Sequence, residues 1–305
     1  MFDNQKNRQF FQNHSPASNL GLLFANILLF ALIGIGLIFG IGKLNGVEIQ
    51  EILSQLTTTT SLELRNWSRF ATIVNHLTMF ILPAFVYAWL IKGDEYPDYL
   101  MLNKTTTLQV FFYSIASLLV AFPLIAFLFQ VNKYLPLPEW MHTLENSTDD
   151  SIKNMLKTDY TYELVLNIIT VALIPAIGEE LIFRGILQKE LNLLFEKPIV
   201  SIIVTAFIFS AIHGQFEGFL SRFVLGAFLG MIYLWSGTIW ASIAAHFVYN
   251  GSQVLGQFLA EKQHSDLSID ENGSFDWPIV LSSTLISAIF LYQIYLNKVE
   301  KVKEI

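Results

Sequence analysis

Long apolar runs, separated by shorter polar stretches, make up most of this chain. A helix needs roughly 20 mostly apolar residues to cross a bilayer core of about 30 Å. Eight windows of this kind recur: Leu20–Gly42, Phe70–Ile91, Gln109–Gln130, Tyr162–Leu187, Pro198–His213, Phe219–Trp235, Thr238–Ala260 and Trp277–Leu296. The pattern predicts an all-α fold, a polytopic membrane helix bundle of about eight transmembrane helices.

Polar stretches and motif content divide the chain into four regions. They are a polar N-terminal segment (1–19), transmembrane helices without motifs (20–160), a motif-bearing core (160–256), and a loop, last transmembrane helix and charged tail (257–305). The first apolar window is longer than the apolar part of a signal peptide, so we interpret it as a retained anchor.

The distribution of basic residues favours one orientation. If eight helices alternate, the polar connections 43–69, 131–161 and 261–276 fall on one side of the membrane. The opposite side collects Lys6, Arg8, Lys92, Lys104, Arg184, Lys189, Lys197, Lys298, Lys301 and Lys303. Cytoplasmic loops carry an excess of Lys and Arg, so we expect both termini in the cytoplasm.

Composition excludes several functional classes. The chain is 53% hydrophobic and 14% charged, with a net charge of −7, and it has no basic tract of the kind nucleic acid needs. We therefore predict a lipid bilayer as its surroundings and no nucleic acid as a partner. Cysteine is absent from the sequence, which excludes disulfides, thiolate nucleophiles and cysteine-bound metals.

Ionisable side chains at bilayer depth are costly unless they are paired or face a water-filled cavity, so each one is a functional hypothesis. In this chain the polar residues within apolar windows concentrate in the second half: Glu179, Glu180, Arg184, His213, Arg222, His246 and Asn250. The order and i,i+4 spacing of Glu180 and Arg184 favour an ion pair. Glu179 lies about 100° further round the helix and is left to another partner.

The same residues are expected to lie at one depth in the membrane. If the fourth and fifth helices turn near Lys197, Glu179 and His213 differ in depth by only about 3 Å at 1.5 Å per residue. His246 lies eight residues after the Ser236-Gly237 turn and reaches a similar depth of about 12 Å. Three helices would then present Glu179, His213, and His246 with Asn250 at one level.

This set of residues fits hydrolysis of a peptide bond without a covalent intermediate. A shielded carboxylate beside an imidazole is a candidate general base, so Glu179 would take a proton from a water that His213 holds or relays. His246 and Asn250 would donate hydrogen bonds to the oxyanion. The nearby hydroxyls of Ser210 and Ser242 remain open as nucleophiles, although no G-x-S-x-G motif is present.

Other interpretations compete with this one. Glu179, His213 and His246 also make a His₂Glu zinc set, although the sequence has no H-E-x-x-H motif. His76 in the second window is more typical of a hydrogen-bonded packing residue. Arg222 could snorkel to the membrane surface. Glu180 and Arg184 alone would be a structural ion pair.

Three short motifs carry a resemblance to a known family. "EELIFR" (Glu179 to Arg184) matches the EExxxR motif, "FSAIH" (Phe209 to His213) the FxxxH motif, and "HFVYN" (His246 to Asn250) the HxxxN motif. In this order and in apolar helices, they resemble the CPBP intramembrane proteases, which include type II CAAX prenyl proteases and bacteriocin-processing, Abi-type relatives.

The resemblance implies an intramembrane endopeptidase that acts on a peptide or a membrane-protein substrate, with the bacterial inner (plasma) membrane as its location. Glu179 would be the water-activating base and His213 its partner. His246 and Asn250 would stabilise the oxyanion, and Glu180 with Arg184 would support the site. No cofactor is required in this mechanism, while zinc remains the metal-dependent alternative.

Two readings from other classes stay open. Relatives of this type are linked to scaffolding and to bacteriocin self-immunity, which makes a non-proteolytic membrane partner the first alternative. A transporter that uses the Glu and His residues as a proton relay is the second. The complete motif set favours the enzyme.

Overall fold

The computed structural model describes residues 15–48, 61–263 and 276–303. Within these ranges the chain forms helices and no strand, which confirms the predicted all-α membrane bundle. The helices are α1 (Pro16–Leu44), α2 (Leu62–Tyr99), α3 (Leu108–Lys133), α4 (Glu139–Leu156), α5 (Thr161–Phe195), α6 (Pro198–Ala211), α7 (Phe219–Ser236), α8 (Ile239–Gln263) and α9 (Trp277–Lys303).

Six of these helices are long and apolar enough to cross a membrane, namely α1, α2, α3, α5, α7 and α9. The predicted count of eight is therefore not confirmed. Each apolar window does contain a helix, but α6 has only 14 residues. Helix α8 carries His246, Asn250 and the charged pair Glu261 and Lys262, which lower its hydropathy.

Parts of three predicted polar segments lie outside the described residues, including residues 1–14, 49–60 and 264–275. Two of the predicted polar connections, 43–69 and 131–161, contain long stretches of helix in the parts that the structure describes. Helix α2 begins at Leu62, within the predicted connection 43–69. Most of the predicted connection 131–161 is the 18-residue helix α4, whose polar sequence gave no apolar window.

Helix α5 is the central element of the bundle. In its most apolar 18-residue window 56% of the residues are buried, whereas in that of α1 only 17% are buried. One apolar cluster packs α5 through Leu181, Phe183 and Ile186 against Tyr87 of α2 and Phe209 of α6. A second cluster joins α3, α7, α8 and α9. A larger share of α5 than of α1 is therefore packed against other helices.

Two π-helical turns interrupt α5, at Ile168–Leu173 and Phe183–Leu187. They flank the regular segment Ile174–Ile182, which carries both glutamates of the EExxxR motif. A third π turn, Leu77–Ile81, follows His76 in α2. A π turn inserts one residue and rotates the face that follows, and such turns are frequent at functional sites. A period of 3.6 residues therefore does not predict one continuous face of α5 through both turns.

Gly178 lets α5 approach α2 closely. A Cβ atom at this position would lie 2.9 Å from Phe80 Cβ and 3.1 Å from Ile81 Cγ1, both on the π turn of α2. Phe80 Cβ is next to the backbone and cannot move away without moving the helix. The absence of a side chain at Gly178 therefore sets the distance between the two helices.

We expect Gly178→Val to destabilise the protein by about 1–3 kcal/mol, the typical cost of overpacking a filled interior. The measurement is thermal unfolding of the purified protein in detergent. Gly36→Val in α1 is the matched control, because no described atom lies within 4 Å of the position its Cβ would take. Equal unfolding temperatures for the two valine variants would contradict the close packing at Gly178.

Candidate active site

Glu180 is the buried centre of the motif residues. Its Oε1 atom accepts a hydrogen bond from Arg184 Nη1 at 2.7 Å and lies 3.0 Å from His246 Nδ1. The predicted Glu180–Arg184 ion pair is therefore present, and the first histidine of the HxxxN motif joins it. Arg184 Nη2 also donates to the backbone carbonyl of Gly226 at 2.9 Å, which ties α5 to α7.

Glu179 faces a different set of partners, as its position on the helix predicts. Its Oε1 atom lies 3.5 Å from His76 Nε2, and its Oε2 atom lies 3.9 Å from His246 Nε2. The side chain is 8% exposed. Each oxygen of this carboxylate therefore has one imidazole beside it, one from α2 and one from α8.

His213 reaches the same cavity from the end of α6 but does not touch Glu179. Its Nδ1 lies 2.6 Å from the carbonyl oxygen of Phe209, one turn earlier. Within the described residues, no nitrogen–oxygen contact of 4.0 Å or less joins His213 to Glu179. Because a carbonyl only accepts, Nδ1 carries the proton, and Nε2 is the ring nitrogen left to accept a hydrogen bond from a water.

Phe209, the aromatic residue of the FxxxH motif, packs between the polar groups. Its ring centroid lies 5.0 Å from that of His213 and 6.1 Å from that of His246. The guanidinium carbon of Arg184 lies 4.9 Å from the same centroid, which is cation–π geometry. The ring thus contacts a residue from each of the three motifs and limits their movement.

Asn250 lies one turn beyond His246 on α8 and lines the cavity with it. Its Nδ2 atom is 3.5 Å from the carbonyl oxygen of Val171, which is long for a hydrogen bond. The amide is thus weakly held, and a bound carbonyl group could replace Val171 as its partner.

A cavity of about 850 Å³ joins these residues. Glu179, His76, His213, His246 and Asn250 all line it, and the volume falls in the range of small-molecule and peptide sites. An apolar wall comes from α3, and polar groups come from α4, α8 and the loop between α6 and α7. The cavity is large enough for a short peptide segment beside Glu179.

Arg222 also lines this cavity. Its Nη1 donates to the carbonyl of Gln215 at 2.8 Å, and its Nη2 donates to Gln215 Oε1 at 2.6 Å. Gln215 Nε2 in turn donates to Asp149 of α4 at 3.0 Å. Arg222 therefore has hydrogen-bond partners within the protein, in the loop that carries His213, and its snorkelling to the membrane surface stays a prediction.

The two hydroxyls that the sequence left open as nucleophiles are engaged elsewhere. Ser210 donates to the carbonyl of Phe219 at 2.6 Å, and Ser242 donates to that of Ile239 at 2.9 Å. Both side chains are buried, and neither lines the cavity. The geometry gives no support to a serine nucleophile at either position.

The alternative zinc set was tested against the donor positions. Across the described ranges, no group of three or more His, Cys, Asp or Glu side chains converges as a metal site would require. His246 uses Nδ1 for Glu180, so only its Nε2 remains available. Glu179, His213 and His246, which all lie in the described part of the chain, are therefore not arranged as a ready ligand set.

Two features of the buried polar residues were not predicted from the sequence: the contact of His76 with Glu179, and a second cluster that joins α2 to α5. Arg65 Nε and Arg69 Nη1 each donate to Glu163 Oε1 at 2.9 Å, which joins the start of α2 to the start of α5. The i,i+4 spacing of the two arginines was the available signal. The two arginines precede the apolar window that begins at Phe70, so they were not among the predicted intramembrane polar residues.

The fold and the polar site define a polytopic helical membrane protein with carboxylates and imidazoles gathered at one cavity. Residues 161–252 match a family model described as Type II CAAX prenyl endopeptidase Rce1-like. The segment is under a third of the chain and contains all three motifs, so the predicted family resemblance is confirmed there. None of the curated proteins and none of the solved structures matches the chain significantly.

The buried pair of Glu180 and Arg184 makes a testable contribution to stability. We expect Glu180→Leu alone to cost about 3–5 kcal/mol, because it leaves the Arg184 guanidinium buried and uncompensated. Adding Arg184→Met should recover part of that loss, since no buried charge then remains. Unfolding in detergent measures both. A double variant no more stable than Glu180→Leu would contradict the pairing.

Proposed function

We propose that this protein is an intramembrane endopeptidase that hydrolyses peptide bonds with a water activated by Glu179. The observation that carries the proposal is the position of this carboxylate. It lies on the wall of a cavity, shielded from bulk water, with an imidazole beside each oxygen. A match to an endopeptidase family over the motif-bearing segment supports the same reaction class.

In the proposed reaction, a water lies between Glu179 and His213. It donates one hydrogen bond to the Nε2 lone pair of His213, whose Nδ1 proton is held by Phe209. Glu179 removes the other proton as the water oxygen adds to the scissile carbonyl carbon. Glu179 then gives this proton to the leaving amine as the carbon–nitrogen bond breaks. Water is consumed, two peptide ends form, and Glu179 returns to its starting state.

His246 and Asn250 are the proposed donors to the oxyanion of the tetrahedral intermediate. They are one helical turn apart on α8 and line the same cavity. In this role the His246 ring carries a proton on both nitrogens, because Nδ1 donates to Glu180 and Nε2 donates to the oxyanion. Arg184 keeps Glu180 in place, so the donor geometry is set before the substrate binds. Such preorganised donors contribute strongly to acyl-transfer catalysis.

The proposed substrate is a peptide segment or a membrane protein that enters the cavity from the bilayer. The matched family is described as acting on prenyl proteins, which makes a prenylated peptide one candidate. The resemblance implies the bacterial inner membrane as its location. If eight helices alternate, the distribution of Lys and Arg puts both termini in the cytoplasm.

The direct test compares membranes that contain the wild type, Glu179→Gln or His213→Ala. We expect both variants to lose about 10²- to 10⁴-fold in the rate of peptide release, the usual contribution of a general base. Peptide profiling by mass spectrometry identifies the peptides that are released from natural substrates in the membrane. Two quenched peptides, identical except for a farnesyl group on one cysteine, then measure rates and the requirement for the lipid. Glu196→Gln is the matched control, because this residue is exposed at the end of the same helix.

Each outcome of this test has a separate meaning. Identical peptide profiles for all samples would contradict the protease and favour a non-proteolytic membrane partner. Each assay is repeated with a chelator. The proposed mechanism needs no metal, so activity should survive, and loss of cleavage on chelation alone would overturn the metal-free mechanism.

A further inference from the structure

His76 lies outside the matched segment, on α2, one residue before the π turn Leu77–Ile81. Its ring stacks on Phe80 with centroids 5.5 Å apart, and its Nδ1 lies 3.0 Å from the carbonyl oxygen of Thr72. These two contacts alone would fit the packing residue that the sequence predicts. The third contact, with Glu179, does not belong to that interpretation.

The hydrogen-bond roles of the ring follow from its partners. The Thr72 carbonyl can only accept, so the proton on that side of the ring is on Nδ1. Nε2 is then the atom that faces Glu179 Oε1, at 3.5 Å. With Nδ1 already protonated, a second proton on Nε2 makes the ring an imidazolium that donates to the Glu179 carboxylate. The distance is long, as is common for catalytic hydrogen bonds before substrate binds.

We propose that His76 is a positioning residue for Glu179, whose Oε1 it holds so that Oε2 stays beside His246 in the cavity. The proposal rests on the function proposed for Glu179. A carboxylate at the end of two methylene groups has several rotamers, and a base that is misplaced by about 1 Å can lose 10²-fold in rate. Contacts at both oxygens fix the plane of the carboxylate.

The surrounding structure holds His76 in this place. Helix α2 is bound to α5 near its start by the contact of Arg69 with Glu163, and it approaches α5 closely at Gly178, next to Glu179. A Cβ at Gly178 would lie 3.7 Å from the backbone oxygen of His76 itself. The first half of the chain, which carries no motif, thereby supplies a partner to the first motif.

Two substitutions of His76 separate positioning from packing. The amide nitrogen of Gln occupies nearly the place of Nε2 and can reach Glu179, whereas that of Asn occupies the place of Nδ1 and can reach only Thr72. We expect His76→Asn to lower kcat about 10- to 100-fold with KM within about two-fold, because the residue acts on the base and not on the substrate. His76→Gln should recover at least part of the lost kcat.

A packing role predicts the opposite order. His76→Asn would keep the Thr72 hydrogen bond and would be the milder change, so activity of the Asn variant equal to or above that of the Gln variant would overturn the proposal. The assay uses whichever quenched peptide the wild type cleaves. Glu179→Gln is measured in parallel. If Glu179→Gln is inactive while His76→Asn is fully active, the positioning role fails and the proposed function stands.

A second measurement does not depend on cleavage. The chain has six histidines, so ¹⁵N-histidine labelling gives few signals, and His76→Asn assigns the one of interest. We expect Glu179→Gln to shift the Nε2 signal of His76. The signal of His142, whose partner is Glu217, should stay in place as an internal control. An unchanged His76 signal would contradict the contact, whatever the enzymatic result.

Discussion

The Oε1 atom of Glu180 accepts hydrogen bonds from Arg184 and His246 in a part of the bundle where all three side chains are buried. A buried charge is tolerated only when it keeps its partners, so the side chains of Arg184 and His246 must stay in contact with Glu180. Arg184 also links α5 to α7 through its hydrogen bond to the carbonyl of Gly226, and His246 links α5 to α8. Glu179 immediately precedes Glu180 on α5, and its Oε2 faces the ring that Glu180 holds. The position of the proposed base therefore depends on the buried pair beside it.

Close helix approach makes these contacts possible. Gly226 and Gly230 are four residues apart on α7, and their carbonyls accept hydrogen bonds from Arg184 at 2.9 Å and Gln188 at 3.1 Å. A Cβ at Gly226 would lie 3.2 Å from Ala206 of α6, so a larger residue would force these helices apart. Helices in lipid gain little from hydrophobic burial against one another, and small residues with interhelical hydrogen bonds replace that driving force. The two glycines therefore also offer carbonyls to α5, one to Arg184 of the first motif and one to Gln188 a turn later.

The sequence predicted what is encoded locally. Apolar windows predicted the helical bundle, and i,i+4 spacing predicted the Glu180–Arg184 pair and a separate face for Glu179. The contact of His76 with Glu179 could not be read in this way, because it joins residues far apart in sequence and depends on a glycine on one helix and a π turn on the other. Helix α4 was not predicted because its sequence is too polar to form an apolar window. The predicted approach of His213 to Glu179 assumed regular helices and a shared depth. The structure gives a shared cavity without a direct contact.

The central proposal is that Glu179 activates a water that adds directly to the scissile carbonyl, without an acyl-enzyme. The most direct measurement is cleavage of a quenched probe peptide in the presence of hydroxylamine, with the products identified by mass spectrometry. Direct attack by water predicts a free carboxylic acid as the only new C-terminal end, at every hydroxylamine concentration. A hydroxamate that replaces the acid as hydroxylamine rises, at an unchanged total rate of cleavage, is the partitioning of a covalent acyl intermediate and would contradict the role proposed for Glu179.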